Sequence, residues 1–256
     1  MKIITLNIWG GKAGKEKVLS FFDSHKDVDI FCLQEVWSAP YPELQGMVVA
    51  EKLMFQEDVM TQAVQDISEL FIDHMPLFRP HFGDHFGLLM FVKNNIEIIE
   101  EGEIFVYQEK GFIPEGDVGN HARNLQYVKV LKEGKTYTVF NVHGLWNGQG
   151  KGDSEDRIKQ SEKIVSFIKS KDSENFVLCG DFNLSLDTKS IEIIEQELNA
   201  RNLVKEHGIT STRTSYYKKE NKFADYMFTG SNIVVKDFKV LPDEVSDHSP
   251  LYLEIE

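Results

Sequence analysis

Short apolar runs, each closing on polar or acidic residues, recur along this chain and set the elements it predicts. Ile3-Ile4-Thr5-Leu6 ends in Asn7, Val28-Asp29-Ile30-Phe31-Cys32-Leu33 ends in Gln34-Glu35, and Phe176-Val177-Leu178-Cys179 ends in Gly180-Asp181-Phe182-Asn183. Apolar runs of this length read as short buried strands. Tyr137-Thr138-Val139-Phe140-Asn141-Val142 alternates with period two up to His143. Phe223-Ala224-Asp225-Tyr226-Met227-Phe228 places an acid inside an aromatic strand, Arg123-Asn124-Leu125-Gln126-Tyr127 is strand-like, and Ser246-Asp247-His248-Ser249-Pro250 stands before a final strand from Leu251. Between the strands, three-four spacing predicts helices. One stripe is Met60, Ala63, Val64, Ile67, Leu70 and Phe71; a second is Ile158, Ser161, Val165 and Ile168; a third is Ile191, Ile194 and Leu198. Asp153 and Ser154 are capping candidates for the second stripe, and Asp187 and Thr188 precede the third. Such stripes face a core. The pattern predicts an α/β class with mixed strands.

Composition narrows the picture. A chain of 256 residues with 41% hydrophobic residues and 18 Phe can bury a large core, and no linker or low-complexity block divides it. A single domain over residues 1–256 is expected. No stretch approaches the roughly 20 apolar residues of a membrane-spanning helix, and because the first strand begins at once, no secretory signal is expected. Cys32 and Cys179 both lie within apolar strands, as small buried hydrophobes. Their pairing is left open, but two thiols make no disulfide framework, and a cytoplasmic location is expected. Neither has neighbours at zinc-site spacing.

The polar strand ends carry the chemistry. Side chains at i and i+2 of a strand share a face, so Asp181 and Asn183 are expected to point at one centre. An ionised Asp takes a water's proton or binds a cation, while an Asn amide orients that water or a phosphate oxygen. Taken alone, Asp-x-Asn also suits a turn, because both residues bond readily to nearby backbone. Six segments that end in or flank Asn, Glu, His and Asp point instead to an active site at strand ends.

The order Asn7, Gln34-Glu35, His143, Gly180-Asp181-Phe182-Asn183, Asp225-Tyr226 and Ser246-Asp247-His248 resembles the endonuclease/exonuclease/phosphatase superfamily, whose members resemble deoxyribonuclease I. The likeness spans nearly the whole chain, with Arg157-Ile158-Lys159-Gln160 and Thr212-Arg213-Thr214-Ser215 as supporting pieces. It implies a four-layered α/β/β/α sandwich: two mixed β-sheets packed face to face, helices outside, and the site at one edge. It also implies roles. Glu35 matches the main metal ligand, with Asn7 beside it at the phosphate or the metal's water shell, and Asp247 is a further metal ligand. Asp181 matches the residue that aligns or deprotonates the attacking water, and Asn183 orients it. His143 and His248 match a pair of imidazoles at the phosphate, with Asp225 bonded to His248 and favouring its protonated form. Hard carboxylates without competing soft ligands favour Mg²⁺ or Mn²⁺, and gathering four acids without a cation would be repulsive. One departure is His143-Gly144-Leu145-Trp146, where the superfamily often has a His-Leu pair.

The substrate is less explicit. The net charge of −13, from 28 basic and 41 acidic residues, and the lack of any Lys/Arg-rich run argue against a tight duplex binder, without excluding a local basic groove. Arg123 is read as a substrate-phosphate contact or a surface ion pair, and Trp37 and Trp146 as stacking platforms or half-buried packing. No exposed aromatic hairpin suggests membrane insertion, and a monomer is expected. Every residue of the matched set is present, which disfavours a silent binding module. The expectation is a metal-dependent phosphoesterase acting on DNA, RNA or a related phosphodiester. A small or lipid-headgroup substrate, such as an inositol phosphate, is the alternative.

Overall fold

A computed structural model describes residues 1–44, 48–49, 52–53, 59–115, 118–171 and 174–256. In chain order its strands are β1 (Lys2–Asn7), β2 (Ile30–Trp37), β3 (Val48–Val49), β4 (Lys52–Leu53), β5 (His74–Phe82), β6 (Phe86–Lys93), β7 (Glu97–Tyr107), β8 (Arg123–Lys132), β9 (Lys135–His143), β10 (Phe176–Asp181), β11 (Ala200–Asn202), β12 (Asp225–Gly230), β13 (Val235–Val240) and β14 (Leu251–Ile255). The α-helices are α1 (Lys15–Ser24), α2 (Tyr41–Leu44), α3 (Ala63–Leu70), α4 (Glu155–Ser170), α5 (Lys189–Glu197) and α6 (Leu203–Glu206).

Two six-stranded sheets form, in the orders β13-β14-β1-β2-β6-β5 and β11-β12-β10-β9-β8-β7. Each is built around one parallel pair, β1 with β2 and β9 with β10, flanked by antiparallel strands. That symmetry gathers the chemistry. The strands β1, β9 and β10 end in Asn7, His143 and Asp181 at one edge, Glu35 follows the last parallel pair of β1 with β2 there, and the antiparallel neighbours β12 and β14 start from that same edge, at Asp225 and just after His248.

Alternation along the strands sorts the layers. Ile4, Leu6, Phe31 and Leu33 join Val18, Phe22, Ala63 and Ile67 in a core beneath α1 and α3, so Ile3, Ile30 and Cys32 point instead at the second sheet. On that sheet's outer face, α4 packs Phe167 against Phe140 and Tyr127, with ring centroids at 6.3 Å and 5.3 Å. Four layers result, as the resemblance implies. Near the functional edge the inner layer turns polar: Gln34 donates to Thr5 Oγ1 at 3.1 Å and to Asn141 Oδ1 at 2.7 Å, while Asn141 donates to the Leu33 carbonyl at 3.1 Å. Buried amide donors paired in this way hold one register, because slipping would strand them in the core.

Gly180 shows what the close approach of β9 and β10 demands. Its φ is +136°, and a Cβ there would lie 2.0 Å from the Val142 carbonyl oxygen. Only glycine meets both conditions.

The three helical stripes form helices and the apolar runs form strands, with shifted ends. The run from Val28 pairs from Ile30 and continues to Trp37, past a break in register between Leu33 and Val36. Ser154 caps α4 as expected, accepting from Arg157 N at 3.3 Å. Asp153 acts on another helix: it accepts from Lys189 N at 2.7 Å and Ser190 N at 2.9 Å, capping α5 across the fold, where Thr188 makes no side-chain cap. The cysteines are free and fully buried. Among the described residues no helix is long and apolar enough to cross a membrane.

Candidate active site

The edge where these strand ends meet holds a cavity of about 330 Å³. Asp181, only 1% exposed, is its hub. Its Oδ2 accepts from Asn7 Nδ2 at 3.0 Å and lies 3.7 Å from His143 Nε2 and 3.6 Å from His248 Nε2. Its Oδ1 accepts from the Asn183 backbone N–H at 2.8 Å. Asn7 also donates to Glu35 Oε1 at 3.0 Å, and Glu35 faces His143 Nε2 at 3.8 Å. Asn7 therefore sits beneath the cavity and ties the two carboxylates together, its backbone oxygen taken by Ser246 Oγ at 2.6 Å.

Two of these residues arrive by special backbone rather than by strand periodicity. Glu35 has φ +57° at the register break, a bulge that turns its carboxylate toward the cavity. Asn183 lies beyond β10 with φ +54°, and its amide donates to Gly144 O at 3.2 Å. The expectation that Asp181 and Asn183 share a strand face is thus corrected. The strand ends at Asp181, and a left-handed turn delivers Asn183 to the same cavity.

His248 has a carboxylate on each side. Its Nδ1 lies 2.7 Å and 2.9 Å from the two oxygens of Asp225, and its Nε2 lies 3.7 Å from Asp247 Oδ1. Thr212 Oγ1 donates to Asp225 Oδ2 at 3.1 Å, and Arg213 Nη1 donates to Asp247 Oδ2 at 2.8 Å. Burial and the Arg213 guanidinium push His248 below its ordinary value, while burial pushes Asp225 up. Burial and the Arg123 guanidinium push His143 well down. Both imidazoles are therefore neutral at pH 7 in the free protein, a correction to the cationic His248 expected from its Asp225 partner. An anionic phosphate arriving at Nε2 would favour the proton again.

The donor set fits a divalent cation. Glu35, His143 and Asp181 offer atoms within 4.8 Å of one another, and so do Asp181, Asp225 and His248. Asp247 Oδ1 is buried without a hydrogen-bond partner. Burial, with Asp247 and Asp181 nearby, pushes Glu35 up to about 7, the cost of a desolvated carboxylate without a counter-charge.

Glu35, Arg123, His143, Trp146, Asp181, Asn183, Asp247 and His248 all line the cavity, with Asn7 bonded to Asp181 and Asp225 to His248. Arg123 is 1% exposed and makes no ion pair among the described residues, so the surface-pair reading is wrong. It donates to Gly119 O at 2.7 Å, leaving Nε and Nη1 without partners. Trp37 is buried against Phe86 in the cavity wall, whereas Trp146 is half-buried with Lys219 Nζ 5.7 Å from its ring. Sequence reasoning missed Trp9, Lys12, His121, Lys151, Arg213 and Tyr217 as lining residues. The segment carrying Arg213 stood out, but no local pattern says which of its side chains turns inward.

Four buried imidazoles make the fold acid-sensitive. Burial pushes His81 down to about 3, and it holds His121, His143 and His248 down as well. The unfolded chain protonates all four near pH 6.5 while the folded one does not, so stability is lost as pH falls below 6.5. Glu35 and Asp225, pushed up, act with the opposite sign but are fewer. In chelator, the melting temperature is expected to drop by several degrees between pH 7.5 and 5.5. A flat profile would contradict this account.

Two mixed sheets sandwiched by helices, with carboxylates, carboxamides and imidazoles at one edge, define a hydrolase centre built for phosphate esters. The chain belongs to the Endonuclease/Exonuclease/phosphatase family, whose sequence model matches residues 4–248, and is a phosphoesterase of that superfamily. No curated protein sequence matches it. Among solved structures, it is similar to an endonuclease/exonuclease/phosphatase from Bacteroides vulgatus (18% identity, TM-score 0.71, covering 100% of this chain and 98% of that one). It is also similar to a Bacteroides thetaiotaomicron mannosyl-6-phosphatase (15% identity, TM-score 0.75, 100% and 99%). A third is D. rerio TDP2 complexed with single-strand DNA product (14% identity, TM-score 0.69, 100% and 98%).

Proposed function

We propose that this protein is a divalent-metal-dependent phosphodiesterase that takes a nucleotide-sized end of its substrate into the cavity, such as a nucleic-acid terminus or a small nucleotide diester. One observation carries the reading. The hydrolytic set converges on a cavity at the small end of the ligand-pocket range, walled by Trp9, Trp146 and Tyr217 and by the cations Lys12, Arg123, Lys151, Arg213 and Lys219. Aromatic faces suit a base or sugar, and cations suit the flanking phosphates. A duplex interior does not fit such a cavity, in keeping with the net charge of −13. Similar structures include a mannosyl-6-phosphatase and a protein complexed with single-strand DNA product, so both substrate classes enter the test.

Glu35, with Asp247 and Asn7 alongside, would hold Mg²⁺ or Mn²⁺, which when bound polarises a phosphoryl oxygen as a Lewis acid. Asp181, fixed by Asn7 and by the Asn183 backbone, aligns the attacking water and takes its proton. The Asn183 amide orients that water, and the His143 and His248 Nε2 atoms face the non-bridging oxygens. Asp225 fixes the His248 ring.

The test is a substrate panel of single- and double-stranded DNA, RNA, bis(p-nitrophenyl) phosphate, p-nitrophenyl phosphate, phosphoinositides and sphingomyelin, run with Mg²⁺ and with chelator. Hydrolysis of bis(p-nitrophenyl) phosphate and of single-stranded ends is expected, with duplex interiors resistant. Turnover confined to the phosphomonoesters would overturn the diester reading and favour the small-substrate alternative.

A further inference from the structure

Lys151 is an unusual lysine. In a chain with 41 acidic residues it makes no ion pair among the described residues, yet it is only 6% exposed and lines the cavity. Its Nζ donates to the Phe223 carbonyl at 2.6 Å, two residues before Asp225, and lies 4.9 Å from the Tyr217 ring centroid. An ammonium has three donors, and one protein acceptor is in place for them.

The backbone around Lys151 is held from several sides. Arg157 of α4, 1% exposed, spends its guanidinium on this loop: Nε donates to Leu145 O at 3.3 Å, Nη1 to Gly152 O at 2.5 Å and Nη2 to Gly150 O at 2.8 Å. Gln160 Oε1 accepts from Leu145 N at 3.0 Å, and the Lys151 carbonyl accepts from Ser185 N at 2.8 Å. Asp153 closes the loop by capping α5. A buried arginine devoted to three carbonyls of one loop fixes where its next side chain goes, and here that is into the cavity, within the field of Asp181, Asp225 and Asp247. Burial and the Arg213 guanidinium push Lys151 down to about 8, so it is still a cation at neutral pH.

We propose that Lys151 binds an oxygen of the substrate's phosphate, as a fixed cation on the Phe223–Asp225 side of the cavity. This rests on the phosphoesterase reading and adds a group to it. Preorganised positive charge of this kind needs no reorganisation when charge builds on the phosphoryl oxygens, so its effect falls on turnover as well as on binding. The alternative is a lysine that only offsets the carboxylates around it. That role would move stability and leave phosphate affinity untouched.

The experiment measures inorganic phosphate binding by calorimetry with saturating Mg²⁺, for the parent, Lys151→Met and Lys151→Arg, with thermal melts alongside. We expect Lys151→Met to weaken phosphate at least about tenfold and to lower kcat on the substrate from the panel by roughly a hundredfold. Lys151→Arg should recover most of the affinity. If Lys151→Met melts far below the parent, Lys151→Cys carries the test, because Cys32 and Cys179 are fully buried and spared by alkylation. Treatment with 2-bromoethylamine, which restores an ammonium, should then restore phosphate affinity, and iodoacetamide should not. Phosphate affinity in Lys151→Met within twofold of the parent overturns the inference, as does a parent that binds no phosphate at tens of millimolar. A parent that binds phosphate through Lys151 but cleaves none of the panel overturns the proposed function alone.

Discussion

Replacing Asp181 by Asn is expected to lower turnover by about a hundred- to ten-thousand-fold, the range for loss of a general base, with a much smaller change in KM. Asparagine keeps the size and one acceptor, so the Asn183 backbone bond at Oδ1 survives while the charge between His143, His248 and Asn7 is lost. The melting temperature should hold or rise, since Asp181 is a buried carboxylate close to other acids in the absence of metal. His248→Ala should also depress kcat, by removing a donor to the phosphoryl oxygens. Because Asp181 Oδ2 and His248 Nε2 lie 3.6 Å apart, the two are expected to act on one reacting group. The double variant should therefore be less impaired than the product of the single losses. Near-parental kcat in Asp181→Asn, with metal saturating, would reduce the Gly180 to Asn183 segment to a structural turn and move the chemistry elsewhere in the cavity.

The second large effect is expected from the metal. Chelation should abolish turnover, and Mg²⁺ or Mn²⁺ should restore it. Glu35→Gln keeps an oxygen to accept from Asn7 but removes the charge, so metal affinity should fall by orders of magnitude, with activity partly recovered at high metal concentration. Folding should change little. Glu35 is about a quarter exposed, and burial, with Asp247 and Asp181 nearby, raises it toward neutrality, so losing its charge removes a desolvation and repulsion cost in the metal-free protein. Titrating Mg²⁺ against activity for parent and variant checks this. Full activity of the parent in chelator would refute the metal mechanism.

The reason these tests can be framed at residue level is that much of the molecule is written locally. Apolar runs and three-four stripes name the strands around the site and three of its helices, because burial on one face imposes a period that neighbouring residues must carry. The strands β3 to β7, β11 and β13 and the helices α1, α2 and α6 were not foreseen. β7, for instance, carries Glu97, Glu100, Glu101 and Glu103 on a largely exposed edge, where no buried face demands alternation. The polar residues at the run ends were legible too, and their order along the chain led to the family.

What the sequence by itself determined is thus the class of fold and the chemical inventory: which acids, amides and imidazoles stand at strand ends. Tertiary structure alone decided how they are presented. A bulge aims Glu35, a left-handed turn brings Asn183 back to Asp181, and Asp153 caps a helix 36 residues away rather than its own. Lys151 enters the cavity because Arg157 grips its loop, and His248 is neutral because the layers around it exclude water and set Arg213 close by. Periodicity is a property of neighbours along the chain, whereas dielectric, charge and hydrogen-bond partners at a site are supplied by segments brought together only when the two sheets close on each other.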